Sequence, residues 1–302
     1  MTGATAWEAA ETLAVPGGRT TLSLRQLGAG PPLLLLHGFP QTHLMWRDVA
    51  PLLARDFTLL CADLPGYGAS TPPDLSPDHA PHSKRAMAAE LVAALGHLGH
   101  GRFAVAGHDR GGRVAYRMAL DHPGRVSHLA VLDVVPTLDA WERADARLAL
   151  GFWPWSLLAQ PAPLPERLLL AAPEAVIDDA LSQWGTPPET FAPEIRAAYI
   201  AALRDPARVA SICEEYRAAA TRDREHDAAD RAAGRRIACP VLALWSARGG
   251  LAKWYEAAGG PLGLWRGWAD RVSGQAMKGG HFFPEERPEQ TAAALREFCL
   301  AR

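Results

Sequence analysis

The chain lacks the features that mark several large protein classes. Neither sign of charge is in excess: 31 Lys and Arg against 33 Asp and Glu leave a formal net charge of −2. That gives no electrostatic footing for nucleic acid or for an anionic membrane surface. No apolar run approaches the ~20 residues of a membrane-spanning helix. Residues 1–16 have neither a basic start nor an apolar stretch behind it, so no signal peptide is expected. Cysteine is sparse. Cys61, Cys213, Cys239 and Cys299 are scattered without metal-ligand spacing and read as thiols in a reducing, cytoplasmic setting. No fixed-period repeat is present. What the chain does have is length and apolar content, 302 residues that are 48% hydrophobic. That suffices for one large α/β domain or two smaller ones with a sizeable core.

Strand and helix patterns alternate along the first part. Residues 20–26 alternate like a half-exposed strand. Residues 32–36 are a continuous apolar run, which predicts a buried strand feeding the loop His37-Gly38-Phe39-Pro40. A helix is expected over 41–54, a strand over 57–62 and a turn-rich loop over 63–70, to which no chemistry is assigned. A helix follows from Ser83, the expected N-cap, to residue 97. Strands are expected at 103–106 and 126–132. The alternation then stops: residues 138–233 are helical only, with Pro161, Pro163 and Pro165 close together. Strand character returns at 240–245 and, more weakly, at 271–276, and a last helix covers 288–300. Such alternation predicts a mostly parallel sheet with helices on both faces. The layout is a core of residues 1–137 and 234–302, interrupted after the strand ending at Asp133 by a helical cap, 138–233. Ligands bind at the carboxyl ends of strands in such sheets, so an insertion there is placed to act as a lid.

The chemistry centres on Gly107-His108-Asp109-Arg110-Gly111. A short strand, a turn with glycines on both sides of one reactive residue, and then a helix have the form of a nucleophile elbow. Asp109 stands where that elbow usually carries serine. A carboxylate is ionised near pH 7 and needs no base to attack a saturated carbon. Asp133 and His281 also follow predicted strands, and the order nucleophile, acid, histidine is that of the α/β-hydrolase triad. The loop after the early strand suits an oxyanion hole, with the Phe39 backbone N–H as one half and the Arg110 N–H as the other.

At these residues the chain resembles α/β-hydrolases with an aspartate nucleophile, and within them the haloacetate (fluoroacetate) dehalogenases. The matching text is HGFPQTHLMW (37–46), ADLPGYG (62–68), AGHDRGGRVAYR (106–117), LAVLDVVPT (129–137), WSLLAQPAPLPE (155–166), CEEYRAAA (213–220), EHD (225–227) and GGHFFPEE (279–286). Haloalkane dehalogenases and epoxide hydrolases usually have Trp after the nucleophile; here it is Arg110. A haloacetate is an anion approaching an anionic carboxylate, and like charges about 4 Å apart repel by roughly 4 kcal/mol at an effective dielectric of ~20. Arg110 and Arg113, three apart at a helix start, are suited to bind the substrate carboxylate, the role the resemblance assigns them. Arg117 and Arg125 are expected at the surface.

The resemblance implies a two-step reaction. Asp109 displaces halide and forms a glycolyl ester; His281, oriented by Asp133, activates a water that hydrolyses it. It implies no metal or organic cofactor, a small anionic substrate as partner, and a homodimer. It assigns halide binding to Trp155 and Tyr216, together with a His before the Trp. That position holds Pro154, which has no donor, so chloro- and bromoacetate are expected to be better substrates than fluoroacetate. Trp153 is the neighbour able to substitute as donor; Trp184 lines the lid or packs its core. Two other readings stay open: an epoxide hydrolase, with Tyr199 and Tyr216 as lid tyrosines, and a non-catalytic receptor on the same fold.

Overall fold

The computed structural model describes residues 3–301. Its centre is an eight-stranded sheet in the order β1-β2-β4-β3-β5-β6-β7-β8. The strands are Glu11–Pro16, Thr21–Leu27, Pro32–Leu36, Thr58–Ala62, Phe103–His108, Val126–Leu132, Val241–Ser246 and Val272–Met277, numbered β1 to β8. β1, β2 and β4 pair antiparallel, and every pairing from β4 through β8 is parallel. The fold is therefore the expected α/β-hydrolase sheet. β1 was not anticipated, because only Val15 in it is buried and its alternation is weak.

The continuous apolar runs make the central strands because both faces of the sheet are covered. In β3, Leu34 and Leu36 enter one core with Val105, Val114, Met118 and Val131; Leu33 and Leu35 enter the other with Trp46, Ala106, Phe283 and Leu295. Each fully buried Leu contributes about 1.5–3 kcal/mol relative to exposure. Register then sets the site. Leu36 lies beside Gly107, His108 beside Leu132, and Leu132 beside Leu244. The residues that leave β3, β5 and β6 thus emerge on one sheet edge.

The expected helix over 41–54 is instead a 3-10 turn, His43–Trp46, capped by Thr42, and a separate short helix, Ala50–Leu53, opened by Pro51. Ser83 caps the helix Lys84–His97 as expected, its hydroxyl accepting from the Ala86 N–H. Between β6 and β7 the chain is helical throughout, in short pieces. Pro154, Pro173, Pro193 and Pro206 each stand at the first position of a helix, where the missing N–H and fixed φ suit a start and forbid continuation from before. Arg117 corrects an expectation. It is 1% exposed, and its guanidinium pairs with Asp121, Asp227 and Asp230. Two of those acids lie in the insertion, which local sequence cannot signal.

Candidate active site

β5 ends in Asp109, whose backbone has φ 46° and ψ −114°. Such a conformation costs a non-glycine residue about 1–3 kcal/mol and persists only where its surroundings enforce it. They do so here through close packing. A Cβ on Gly107 would fall inside the Gly111 carbonyl, and one on Gly38 would lie 2.5 Å from the Asp109 Cβ. The loop after β3 therefore runs directly over the carboxylate, and the Phe39 N–H donates to Asp109 Oδ1 at 3.0 Å. Arg110 begins the helix Arg110–Asp121, so its N–H has no acceptor within that helix.

Asp133 follows β6 with φ 51°. Its Oδ1 accepts from the Ser246 N–H at 2.8 Å, and its Oδ2 accepts from His281 Nδ1–H at 2.6 Å. With Nδ1 engaged, Nε2 of His281 has no hydrogen-bond partner among the described residues. The His281 N–H donates to the Trp184 carbonyl at 2.7 Å, and the Trp184 ring meets the imidazole edge-on at 5.3 Å. The Phe282 N–H donates to Thr186 Oγ1 at 3.0 Å. The insertion thus holds the histidine loop in place.

Burial pushes the Asp109 carboxyl up, but His281, Arg110, His108 and Arg113 outweigh it and hold the group below its ordinary value. It is a carboxylate at neutral pH. His108, fully buried, is pushed down to about 3 by burial and then by His281. It stays neutral and donates from Nε2 to the His281 carbonyl at 2.9 Å. Residues 63–70 are a scaffold turn: the Asp63 carboxylate accepts from the His43 and Ala69 N–H groups, both at 2.8 Å.

The two arginines differ. Arg113 lines a cavity beside Asp109, with Nη1 donating to the Val135 carbonyl at 2.8 Å and to Thr137 Oγ1 at 3.1 Å. Thr137 joins Tyr116, whose hydroxyl donates to Asp227 Oδ2 at 2.7 Å. Arg110 does not offer an open fork. Its Nε and Nη2 grip Glu215, at 2.8 Å and 2.6 Å to Oε1, while Nη1 is buried without a partner. Lys84, itself buried, pairs with the same Glu215 and with Asp223.

The cavity measures about 20 Å3, and its walls also include Asp133, Trp155, Phe152 and Tyr255. That is room for one or two waters. Trp155 stands on it with an indole N–H that has no partner among the described residues, and its ring faces Arg113 at 4.3 Å. Tyr216 is not among the cavity walls. Its ring lies under the Arg110 guanidinium at 3.9 Å and against Phe39 at 5.8 Å. Pro154 is buried at a helix start. Trp153 donates its N–H to Asp179 at 2.7 Å, so it is not a spare donor. Tyr199 donates to Glu285 at 3.0 Å and is committed elsewhere. Sequence reasoning missed Glu215, Lys84, Phe152 and Tyr255; the first three adjoin residues already singled out, Tyr216, Ser83 and Trp153, and Tyr255 adjoins none.

The model of the alpha/beta hydrolase fold family matches residues 31–171. The chain is 43% identical to a fluoroacetate dehalogenase of Burkholderia sp, over 97% of this chain and 94% of that one. It is 32% identical to a soluble epoxide hydrolase of Corynebacterium sp. (strain C12), over 91% and 92%. A solved alpha/beta hydrolase structure from Nostoc sp PCC 7120 superposes with a TM-score of 0.94 at 44% identity, covering 98% of this chain and 100% of that one.

Proposed function

The chain belongs to the alpha/beta hydrolases and, within them, to the haloacetate dehalogenases, hydrolases that act on carbon–halogen bonds; from that premise we propose that it converts haloacetates to glycolate and halide through an ester on Asp109. The observation that carries this reading is one cavity bounded by an ionised Asp109, a cationic Arg113 and the Asp133 that orients His281. Asp109 attacks the halogen-bearing carbon from its strained turn. His281 Nε2, free of partners among the described residues, then takes a proton from water as that water attacks the ester carbonyl. The Phe39 N–H, already on Oδ1, and the Arg110 N–H receive the oxyanion.

In this reading residues 1–137 and 234–302 are the core and 138–233 the cap. Arg113 binds the substrate carboxylate directly, and Arg110 adds charge and its one free nitrogen rather than a full fork. Trp155 donates to the departing halide, as does Tyr216 if the cap shifts. With Pro154 in place of a donor, chloro- and bromoacetate are turned over faster than fluoroacetate. A cytoplasmic homodimer belongs to the same proposal and is tested by light scattering. An epoxide hydrolase finds less support, because Tyr199 is bonded to Glu285 and a neutral substrate leaves Arg113 without a purpose.

The test is halide release from fluoro-, chloro- and bromoacetate, with chloroacetamide and styrene oxide beside them. Chloride release from chloroacetate, with little from the amide, is expected. Turnover of styrene oxide with inert haloacetates would reverse the assignment.

A further inference from the structure

The cavity beside Asp109 has a polar wall that neither the triad nor the resemblance assigns. Besides Asp109, Asp133, Arg113 and Trp155, Tyr255 lines it; the remaining walls are hydrocarbon, such as Val135 and Leu148. Tyr255 is 4% exposed; its hydroxyl has no hydrogen-bond partner among the described residues and is not one of the fully buried polar atoms left unpaired. A phenol that lines a nearly closed cavity and keeps some accessible surface is expected to meet a ligand or water there. Burial, only partly offset by Arg113, pushes its pKa up to about 12, and it remains an O–H donor throughout the working range of pH.

Tyr255 and Arg113 line the same cavity of about 20 Å3, and Arg113 is the one Lys or Arg on its walls among the described residues. In so small a space a neutral O–H donor and that cation meet the same substrate group, and an anionic oxygen suits both. Arg113 is also the charge that acts most on Tyr255. Its support comes from the core. It follows the short helix Leu251–Trp254, its carbonyl accepts from the Ala258 and Gly260 N–H groups, both at 2.9 Å, and the adjacent Trp254 packs on Phe152 at 5.2 Å.

We propose that Tyr255 is a substrate-binding residue whose hydroxyl donates to a carboxylate oxygen of the substrate beside the Arg113 guanidinium, adding to the selection of 2-halo acids over neutral halides. This rests on the haloacetate reading. It also supplies a second neutral donor on the cavity in a chain whose Tyr216 is turned to Arg110.

Tyr255→Phe removes one oxygen and keeps the ring. KM for chloroacetate should rise about five- to tenfold with kcat within about twofold, the pattern of a lost binding contact. Any residual turnover of chloroacetamide should stay as in the wild type. The affinity for glycolate, measured by calorimetry, should fall by the same factor as KM rises. Unchanged KM and glycolate affinity would overturn the proposal, and so would a fall in kcat at constant KM, which would place the hydroxyl at the halide. The glycolate arm needs no turnover. A wild type that releases no halide defeats the haloacetate reading, while weaker glycolate binding by the variant still upholds the Tyr255 contact.

Discussion

The two halves of the helical insertion meet the core by different physics. The later half, helices Pro206–Ala220 and Arg222–Ala232, is tied down by buried charge. Glu215 and Asp223 receive Lys84, Asp227 receives Tyr116 and Arg117, and Asp230 receives Arg117. The earlier half, residues 146–190, sends no ion pair to the core among the described residues. It rests on rings, Phe152 on Trp254, Trp184 and Phe152 on His281, Trp153 on Phe39, and on two bonds from the histidine loop, His281 N–H to the Trp184 carbonyl and Phe282 N–H to Thr186 Oγ1. Directional bonds fix an orientation and are expensive to break; apolar contacts slide. The ionic half accordingly reaches the arginines, Glu215 holding Arg110 and Asp227 holding Arg113 through Tyr116 and Thr137. The aromatic half walls a cavity with room for one or two waters, and in the proposed reading it moves to admit substrate.

Asp227→Ala should produce the largest effect on this contrast. It strands the Leu138 N–H and Arg117 Nη1 and leaves the Tyr116 hydroxyl with Thr137 alone, and each buried donor left unpaired costs about 1–3 kcal/mol. Denaturant melts should show a large loss of stability. The loss should depend on pH. Burial pushes the Asp227 carboxyl up from its ordinary value to about 6. A raised acid contributes stability that is full below the unfolded value and is lost as pH rises through the folded one. The gap between wild type and variant should therefore be wider at pH 4 than at pH 8. An equal gap at both would remove Asp227 as a buried, shifted group.

On the aromatic side, Pro154→His should raise the ratio of fluoroacetate to chloroacetate turnover about tenfold, because one donor to a developing charge contributes about 1.5–3 kcal/mol. An unmoved ratio would put position 154 away from the halide. The smallest effect on turnover is expected from Trp153→Phe. It loses the bond to the Asp179 carboxylate, up to about 1.5–3 kcal/mol of stability, and should leave the halide ratio unchanged, since that N–H already has an acceptor. A changed ratio would mean that Trp153 swings into the cavity.

The same contrast explains what could be read from the chain alone. β3, β5 and β6 were legible because a strand buried on both faces leaves a local signature, and the elbow and the glycine-flanked His281 because tight turns need particular residues close together. Arg117 read as surface because a charged helix face is usually wet, and its acid partners in the insertion lie 110 and 113 positions away. Arg110 read as an open fork for the same reason: Glu215 is 105 residues distant. Tyr255 sits in an irregular stretch between glycine pairs, where no periodicity points anywhere.

The central claim is that the Asp109 carboxylate is the attacking atom. A single turnover in water labelled with heavy oxygen, followed by mass analysis of protein and product, tests it most directly. The account predicts label in the Asp109 side chain and unlabelled oxygen in the first glycolate released; label in that first glycolate would mean that water, and not Asp109, displaces the halide.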